Sequence, residues 1–126
     1  MSETDWYRSL KGYKYATKIP RVCTVEGLPE FGHKEYIRCA GGMLTVLPHY
    51  AWDGPSGPTW DRPENMRASL FHDALCQAIS EGLLDKKYRK YADQLFRQHC
   101  LEDGMGKFWA GGYYKAVRFW SWLKGM

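Results

Sequence analysis

The period of hydrophobic and polar positions changes near the middle of the chain. Before residue 50, the odd-numbered positions 13–19 hold Tyr, Tyr, Thr and Ile and alternate with Lys14, Ala16 and Lys18. This period of two is typical of a half-exposed strand. Further β-type runs lie at 22–25, 36–39 and 43–47, and the glycines Gly41 and Gly42 predict a tight turn between the last two. We therefore predict an antiparallel β region over residues 6–49.

After residue 62 the apolar positions recur with helical spacing. A first helix is predicted from about Pro63 to Gly82, with Asp61 as its cap; its apolar face contains Phe71, Ala74, Leu75, Ala78 and Ile79. A second helix is predicted from about Asp85 to Gly104; its apolar face contains Tyr88, Tyr91, Ala92, Leu95 and Phe96. The short link between them predicts antiparallel packing.

A third helix is predicted over residues 106–124. Aromatic rings surround most of it, and Lys107, Lys115, Arg118 and Lys124 are interleaved with them. A helix that is apolar nearly all round is either buried in a core or turned toward a non-aqueous surface. We expect a core helix, and contact with a membrane surface is the alternative.

These elements predict an α+β fold in a single domain over residues 1–126. It consists of a β region at 6–49, a glycine- and proline-rich loop at 50–62, and a helical part at 63–124. The content of 44% hydrophobic and 25% charged residues is that of a soluble globular protein. No run approaches the roughly 20 apolar residues needed to cross a bilayer.

Composition narrows the classes of partner. Aromatic residues make up 16% of the chain and include six Trp, more than a small core needs, so we expect some rings at a surface that meets a partner. The net charge of +4 is not concentrated in a stripe, which argues against specific nucleic-acid binding. The four cysteines lack CxxC spacing and the chain shows no export signal, so we expect reduced thiols without zinc.

One set of polar residues indicates chemistry. His72 and Asp73 are adjacent on the first predicted helix, and Asp93 lies on the second. His72 and Asp93 both occupy the edge of an apolar face, so antiparallel packing is expected to bring an imidazole nitrogen within about 2.6–3.2 Å of the carboxylate. A histidine whose far nitrogen is held by an aspartate can act as a general base. The alternative is a salt bridge from Asp93 to Arg89 or Arg97 on its own helix.

The loop before the first helix adds a candidate metal site. Gly54 and Gly57 allow the backbone to turn its carbonyls inward, and the Asp73 carboxylate points away from the helix core toward that loop. Carboxylate and carbonyl oxygens are the ligands that Ca²⁺ prefers. Such a site suits attack of water on an ester, with the metal neutralising the oxyanion.

The chain resembles a family of small phage and prophage proteins, domain of unknown function 1353, over roughly residues 45–120. The resembling segments are residues 53–58 (DGPSGP), 68–75 (ASLFHDAL), 92–93 with Phe96, and 114–118 (YKAVR). The resemblance implies a phage context, with the protein made in the host cytoplasm and incorporated in the virion if it is structural. It implies no particular activity.

A more distant resemblance is to the phospholipase A₂ enzymes, including the domain in parvovirus capsids. It implies that His72 is the base, that Asp93 is its partner, and that Asp73 binds Ca²⁺ with carbonyls around Trp52 and Gly54. The sequence departs from that family at Cys76, where the enzymes usually have Tyr, and in lacking their disulfides.

Two functions are therefore predicted from the sequence. The first is a calcium-dependent, phospholipase A₂-like esterase that acts on membrane phospholipid. The second is a non-enzymatic virion or assembly protein that contacts other phage structural proteins, with His72, Asp73 and Asp93 as a buried hydrogen-bonded scaffold. Under the first, His72 must face a water-accessible cleft; under the second, it is paired and sealed from solvent.

Overall fold

A computed structural model of the chain describes residues 6–9, 15–33, 35–52 and 63–123, and it confirms the α+β architecture. The described residues form two antiparallel sheets followed by three α-helices. The first sheet has the order β1-β2-β7 and contains β1 (Tyr7–Ser9), β2 (Tyr15–Thr17) and β7 (Ala51–Trp52). The second has the order β3-β6-β5-β4 and contains β3 (Arg21–Thr24), β4 (Phe31–His33), β5 (Ile37–Ala40) and β6 (Met43–Val46).

The predicted glycine hairpin joins β5 to β6. Gly41 and Gly42 have φ angles of 60° and 74°, which are left-handed values at both central positions of a two-residue turn. Only residues without a Cβ adopt such angles freely, and their twist matches that of the flanking strands. The hairpin brings Cys39 opposite Leu44, and both side chains are buried.

The loop was predicted to start at residue 50, but Ala51 and Trp52 form strand β7. Trp52 lies opposite Tyr15 of β2, and its ring stacks on Trp6 with centroids 5.5 Å apart. Its indole Nε1 donates a hydrogen bond of 3.0 Å to Ser69 Oγ on the first helix. These non-local contacts place Ala51 and Trp52 in a strand. Asp61, the predicted cap, and residues 53–62 lie outside the described residues.

The helix boundaries agree with the glycine and proline signals. Helix α1 spans Pro63–Ser80, α2 spans Arg89–Glu102 and α3 spans Lys107–Leu123. A 3-10 turn, Lys86–Tyr88, precedes α2, and Asp85 caps it by accepting a bond of 2.8 Å from the Lys87 amide. Gly82 and Gly104 follow α1 and α2 with φ angles of 78° and 99°, the left-handed conformation common after helix ends.

Helix α1 lies between the two parts of the core. Leu70, Phe71 and Leu75 of α1 pack in a cluster with the buried side chains of the sheets, while Ala68 packs with Phe96 of α2 and with α3. Helices α1 and α2 are antiparallel, as predicted. The four cysteines are free thiols, and Cys76 is the one among them that is partly exposed.

Helix α3 buries one face. Ala110, Tyr113, Val117 and Ser121 recur at helical spacing and are buried. Several aromatic rings of α3 are exposed to solvent, and Phe108 and Trp122 keep 83% and 73% of their surface exposed. A wholly buried core helix is therefore the wrong interpretation of its aromatic pattern. Among the described residues, no helix combines the length and apolar character required to cross a bilayer.

Candidate functional site

His72 and Asp93 meet between α1 and α2 as the edge positions predict. His72 Nε2 lies 2.6 Å from Asp93 Oδ1. The carboxylate can only accept, so the Nε2–H donates. The imidazole ring also meets Phe96 edge-on, with centroids 5.4 Å apart. The contact is sealed: His72 is 4% exposed and Asp93 is 0% exposed.

Asp93 accepts hydrogen bonds from all three helices. Its Oδ1 accepts from His72 of α1 and from Arg89 Nε of α2 at 3.1 Å. Its Oδ2 accepts from Arg118 Nη1 and Ser121 Oγ of α3, each at 2.9 Å. These five residues are called the Asp93 cluster below. Three of the donors are cationic side chains, and the single Ser121 hydroxyl proton is shared between Asp93 and the Val117 carbonyl, which lies 2.8 Å away. The cationic donors compensate the buried carboxylate charge.

Both pairings predicted for Asp93 occur together. The inter-helix contact with His72 and the contact with Arg89 one turn earlier share the same oxygen. Arg97 instead places its guanidinium over the Tyr114 ring, 5.8 Å from its centroid. A carboxylate has two oxygens with two lone pairs each, so one pairing does not exclude the other.

The other side of the His72 ring faces Cys76, one turn along α1. The Cys76 sulfur lies 3.8 Å from Nδ1 and 3.9 Å from Nε2. Since the two distances are nearly equal, the sulfur contacts both ring nitrogens. Cys76 is partly exposed and occupies the position where the phospholipase resemblance expects Tyr.

The two partners have pKa values displaced in opposite directions. Burial disfavours the imidazolium, but the charge interaction with Cys76 and the hydrogen bond to Asp93 outweigh it and raise the pKa of His72 to about 10. Burial also disfavours the carboxylate, yet the His72 hydrogen bond and the charges of His72 and Arg89 hold the pKa of Asp93 below its ordinary value. Both directions correspond to an ion pair at neutral pH.

The surroundings of His72 are not those of a general base. A base needs an unprotonated nitrogen within hydrogen-bond reach of water or substrate. His72 is covered by Phe96 and Cys76, and its raised pKa keeps it protonated near pH 7. What the cluster provides is a compensated internal ion pair that joins α1, α2 and α3.

The predicted calcium site is described in part. Trp52 is buried in β7, and Asp73 is partly exposed on α1. Gly54 and Gly57, which were to supply carbonyls, lie outside the described residues. Over residues 6–9, 15–33, 35–52 and 63–123, no group of three His, Cys, Asp or Glu side chains converges as metal ligands. Calcium binding through Asp73 and the loop stays a prediction.

Arg118 and Ser121 were missed as partners of Asp93. They are three residues apart on α3, so they share a face one turn apart. A polar pair within an aromatic helix is the signal that could have identified them. Their contact depends on how α3 packs on α2, and local sequence does not specify that angle.

Comparison with known proteins adds no relative. No protein-family model matches the chain, and neither the curated proteins nor the solved structures contain a match. The chain's function is therefore argued from its own geometry.

Proposed function

We propose that this protein is a non-enzymatic structural protein of a phage particle or its assembly, in which the Asp93 cluster holds the three helices in place. The observation that carries the proposal is the fully buried Asp93 carboxylate, which accepts four side-chain hydrogen bonds from α1, α2 and α3. The phage setting is part of the proposal and rests on the sequence resemblance of residues 45–120 alone, not on the geometry of the cluster.

The burial and the raised pKa of His72 favour this function over the esterase. Hydrolysis by a histidine base requires the ring to take a proton from water and pass it on. The contact with Asp93 at 2.6 Å is expected under both functions. What favours the structural one is that the ring is 4% exposed and that its pKa is raised to about 10. A protonated and covered imidazole is a good structural donor and a poor base.

A phospholipid assay tests the proposal. Wild type, His72→Gln and a matched buried-histidine control, His99→Gln, are incubated with phospholipid vesicles in calcium and in chelator, and fatty-acid release is measured. Circular dichroism establishes that each variant is folded. We expect negligible release in every sample.

One pattern would overturn the proposal. It is calcium-dependent release by wild type and folded His99→Gln that disappears in folded His72→Gln. That result would assign His72 the role of base and would require a water-accessible state of the ring.

A further inference from the structure

We infer that the outer side of α3 is a docking surface for an anionic lipid bilayer. The aromatic face is defined here as Phe108, Trp109, Phe119, Trp122 and Leu123. All five are exposed large hydrophobic residues, on a helix whose opposite side is buried. The inference rests on the proposed function and deepens it, because it names a bilayer as the partner of a protein that binds phospholipid without hydrolysing it.

The aromatic face does not contribute to the protein's own core. Phe108 and Trp122, at opposite ends of the helix, are exposed at 83% and 73%. Their rings pair with exposed neighbours: Phe108 with Trp109 at 5.6 Å and Phe119 with Trp122 at 6.0 Å. Exposed apolar surface of this kind on a soluble domain marks an interaction site.

The shape of the surface fits a plane. Phe108 and Phe119 are eleven residues apart, so about 16 Å of helix separates the two groups of rings. Gly111 and Gly112 lie between them, and a Cβ added at either would meet no heavy atom within 4 Å beyond its chain neighbours and the backbone of its own helix. A helix whose inner face packs on the domain and whose outer face carries rings near both ends can lie flat in a bilayer interface.

The charge on α3 selects an anionic partner. Its sequence contains Lys107 and Lys115, both exposed, and no Asp or Glu. Lys107 occupies the first turn, where the helix dipole disfavours a cation, so it is not explained by helix stability. Arg118 is excluded from this count because Asp93 engages it. The net charge of +4 adds long-range attraction.

A lipid surface fits these features better than a second copy of the chain. Two copies of α3 facing each other would place lysine against lysine around the Gly111–Gly112 crossing. An interfacial helix combines lysines at headgroup level with Trp and Phe at the acyl boundary. Trp and Tyr are also the residues enriched at membrane–water interfaces.

The experiment measures binding to vesicles of equal parts phosphatidylglycerol and phosphatidylcholine, and to phosphatidylcholine alone. The double variant Phe119→Ser/Trp122→Ser removes rings, and Lys107→Glu/Lys115→Glu reverses charge. Val22→Ser/Met43→Ser replaces exposed apolar residues on the second sheet, and Lys90→Glu reverses an exposed lysine on α2. Because all these side chains are exposed, each variant should fold, and circular dichroism checks this.

We expect wild type to bind the anionic vesicles and to bind phosphatidylcholine at least tenfold more weakly. The ring variant should lose at least tenfold in affinity. The lysine variant should lose about fivefold or more per lysine, an effect that high salt removes. The affinity of the sheet control should stay within about twofold of the wild-type affinity. Lys90→Glu should reduce the affinity by less than half of the effect per lysine expected for Lys107→Glu/Lys115→Glu.

Three results would overturn the inference: no binding by wild type, equal binding to both vesicle types, or a concentration-dependent dimer that the ring variant dissociates. The third would assign α3 to self-association. Fatty-acid release is followed in the same samples. Hydrolysis would contradict the proposed function alone, whereas absent binding without hydrolysis would contradict this inference alone.

Discussion

His72 on α1 and His99 on α2 are buried to nearly the same extent, with 4% and 3% of their surfaces exposed. Each ring meets a phenylalanine of the other helix edge-on: His72 meets Phe96 at 5.4 Å, and Phe71 meets His99 at 5.5 Å. The polar surroundings of the two rings differ. His72 has a carboxylate at 2.6 Å, while His99 Nδ1 is buried and finds no hydrogen-bond partner in the described part of the chain.

The pKa values separate accordingly. Burial and the charge of Arg67 lower the pKa of His99 to about 4, and this outweighs the opposing charges of Glu102 and Asp103. The pKa of His72 rises to about 10. Burial alone therefore does not decide whether a histidine is charged; at His72 the charge interaction with Cys76 and the hydrogen bond to Asp93 outweigh burial and raise the pKa. His72 is an internal cation, and His99 is a small aromatic core residue.

The largest expected effect comes from removing the carboxylate. Asp93→Asn keeps the size of the side chain, but its NH₂ group would face two of the four donors and its charge is lost. Breaking a buried ion pair costs about 3–5 kcal/mol of unfolding free energy. Urea denaturation measures it. Asp85→Asn is the matched control, since an exposed Asn caps the 3-10 turn as well as Asp does. Equal stability of the two variants would contradict the role of the cluster.

The second expected effect compares the histidines directly. His72→Leu removes a charged donor from Asp93, which keeps three others, so we expect a loss of about 2–3 kcal/mol. His99→Leu removes a buried nitrogen without a described partner, so we expect stability within about 1 kcal/mol of wild type, or above it. Denaturation of both variants under one condition is the measurement. A His99→Leu loss as large as that of His72→Leu would refute the contrast.

The third effect is a dependence of stability on pH with opposite signs on either side of pH 6.5. Between 6.5 and about 10, folded His72 keeps a proton that the unfolded chain releases, so the free energy of unfolding falls as pH rises. Between 6.5 and about 4, the unfolded chain protonates His99 while the folded chain does not, so stability falls as pH drops. Each histidine contributes about 1.4 kcal/mol per pH unit at most. Above pH 9 the buried thiols of Cys23 and Cys100, whose pKa values are raised to about 12, add to the alkaline decline.

The two leucine variants test which histidine causes each of the two declines in stability. His72→Leu should flatten the alkaline decline relative to wild type, and His99→Leu should flatten the acid decline. Denaturation at a series of pH values checks both. An unchanged alkaline decline in His72→Leu would show that other groups cause it.

Local signals in the sequence predicted much of this fold. Pro63, Gly82 and Gly104 mark helix boundaries because their backbone preferences act without tertiary context. Gly41 and Gly42 define the hairpin for the same reason. The contact between His72 and Asp93 was predictable because edge positions on two antiparallel helices face each other.

Features set by tertiary packing were not predictable. Trp52 joins a strand because Tyr15, 37 positions earlier, pairs with it. Arg118 and Ser121 reach Asp93 only once α3 packs against α2. Rings on nearly every side of α3 conceal which face is buried, so the exposure of Phe108 could not be read from periodicity. The roles of Gly54 and Gly57 concern residues outside the described ranges.

The charge of His72 tests the central claim most directly, and nuclear magnetic resonance of the histidine side-chain nitrogens measures it. We expect both ring nitrogens of His72 to carry protons at pH 7.5, with a titration midpoint well above 6.5 and toward 10. His99 should serve as the internal reference, neutral at pH 7.5 with a midpoint near 4. A neutral His72 at pH 7.5, titrating at or below 6.5, would contradict the structural ion pair and return His72 to the candidates for a general base.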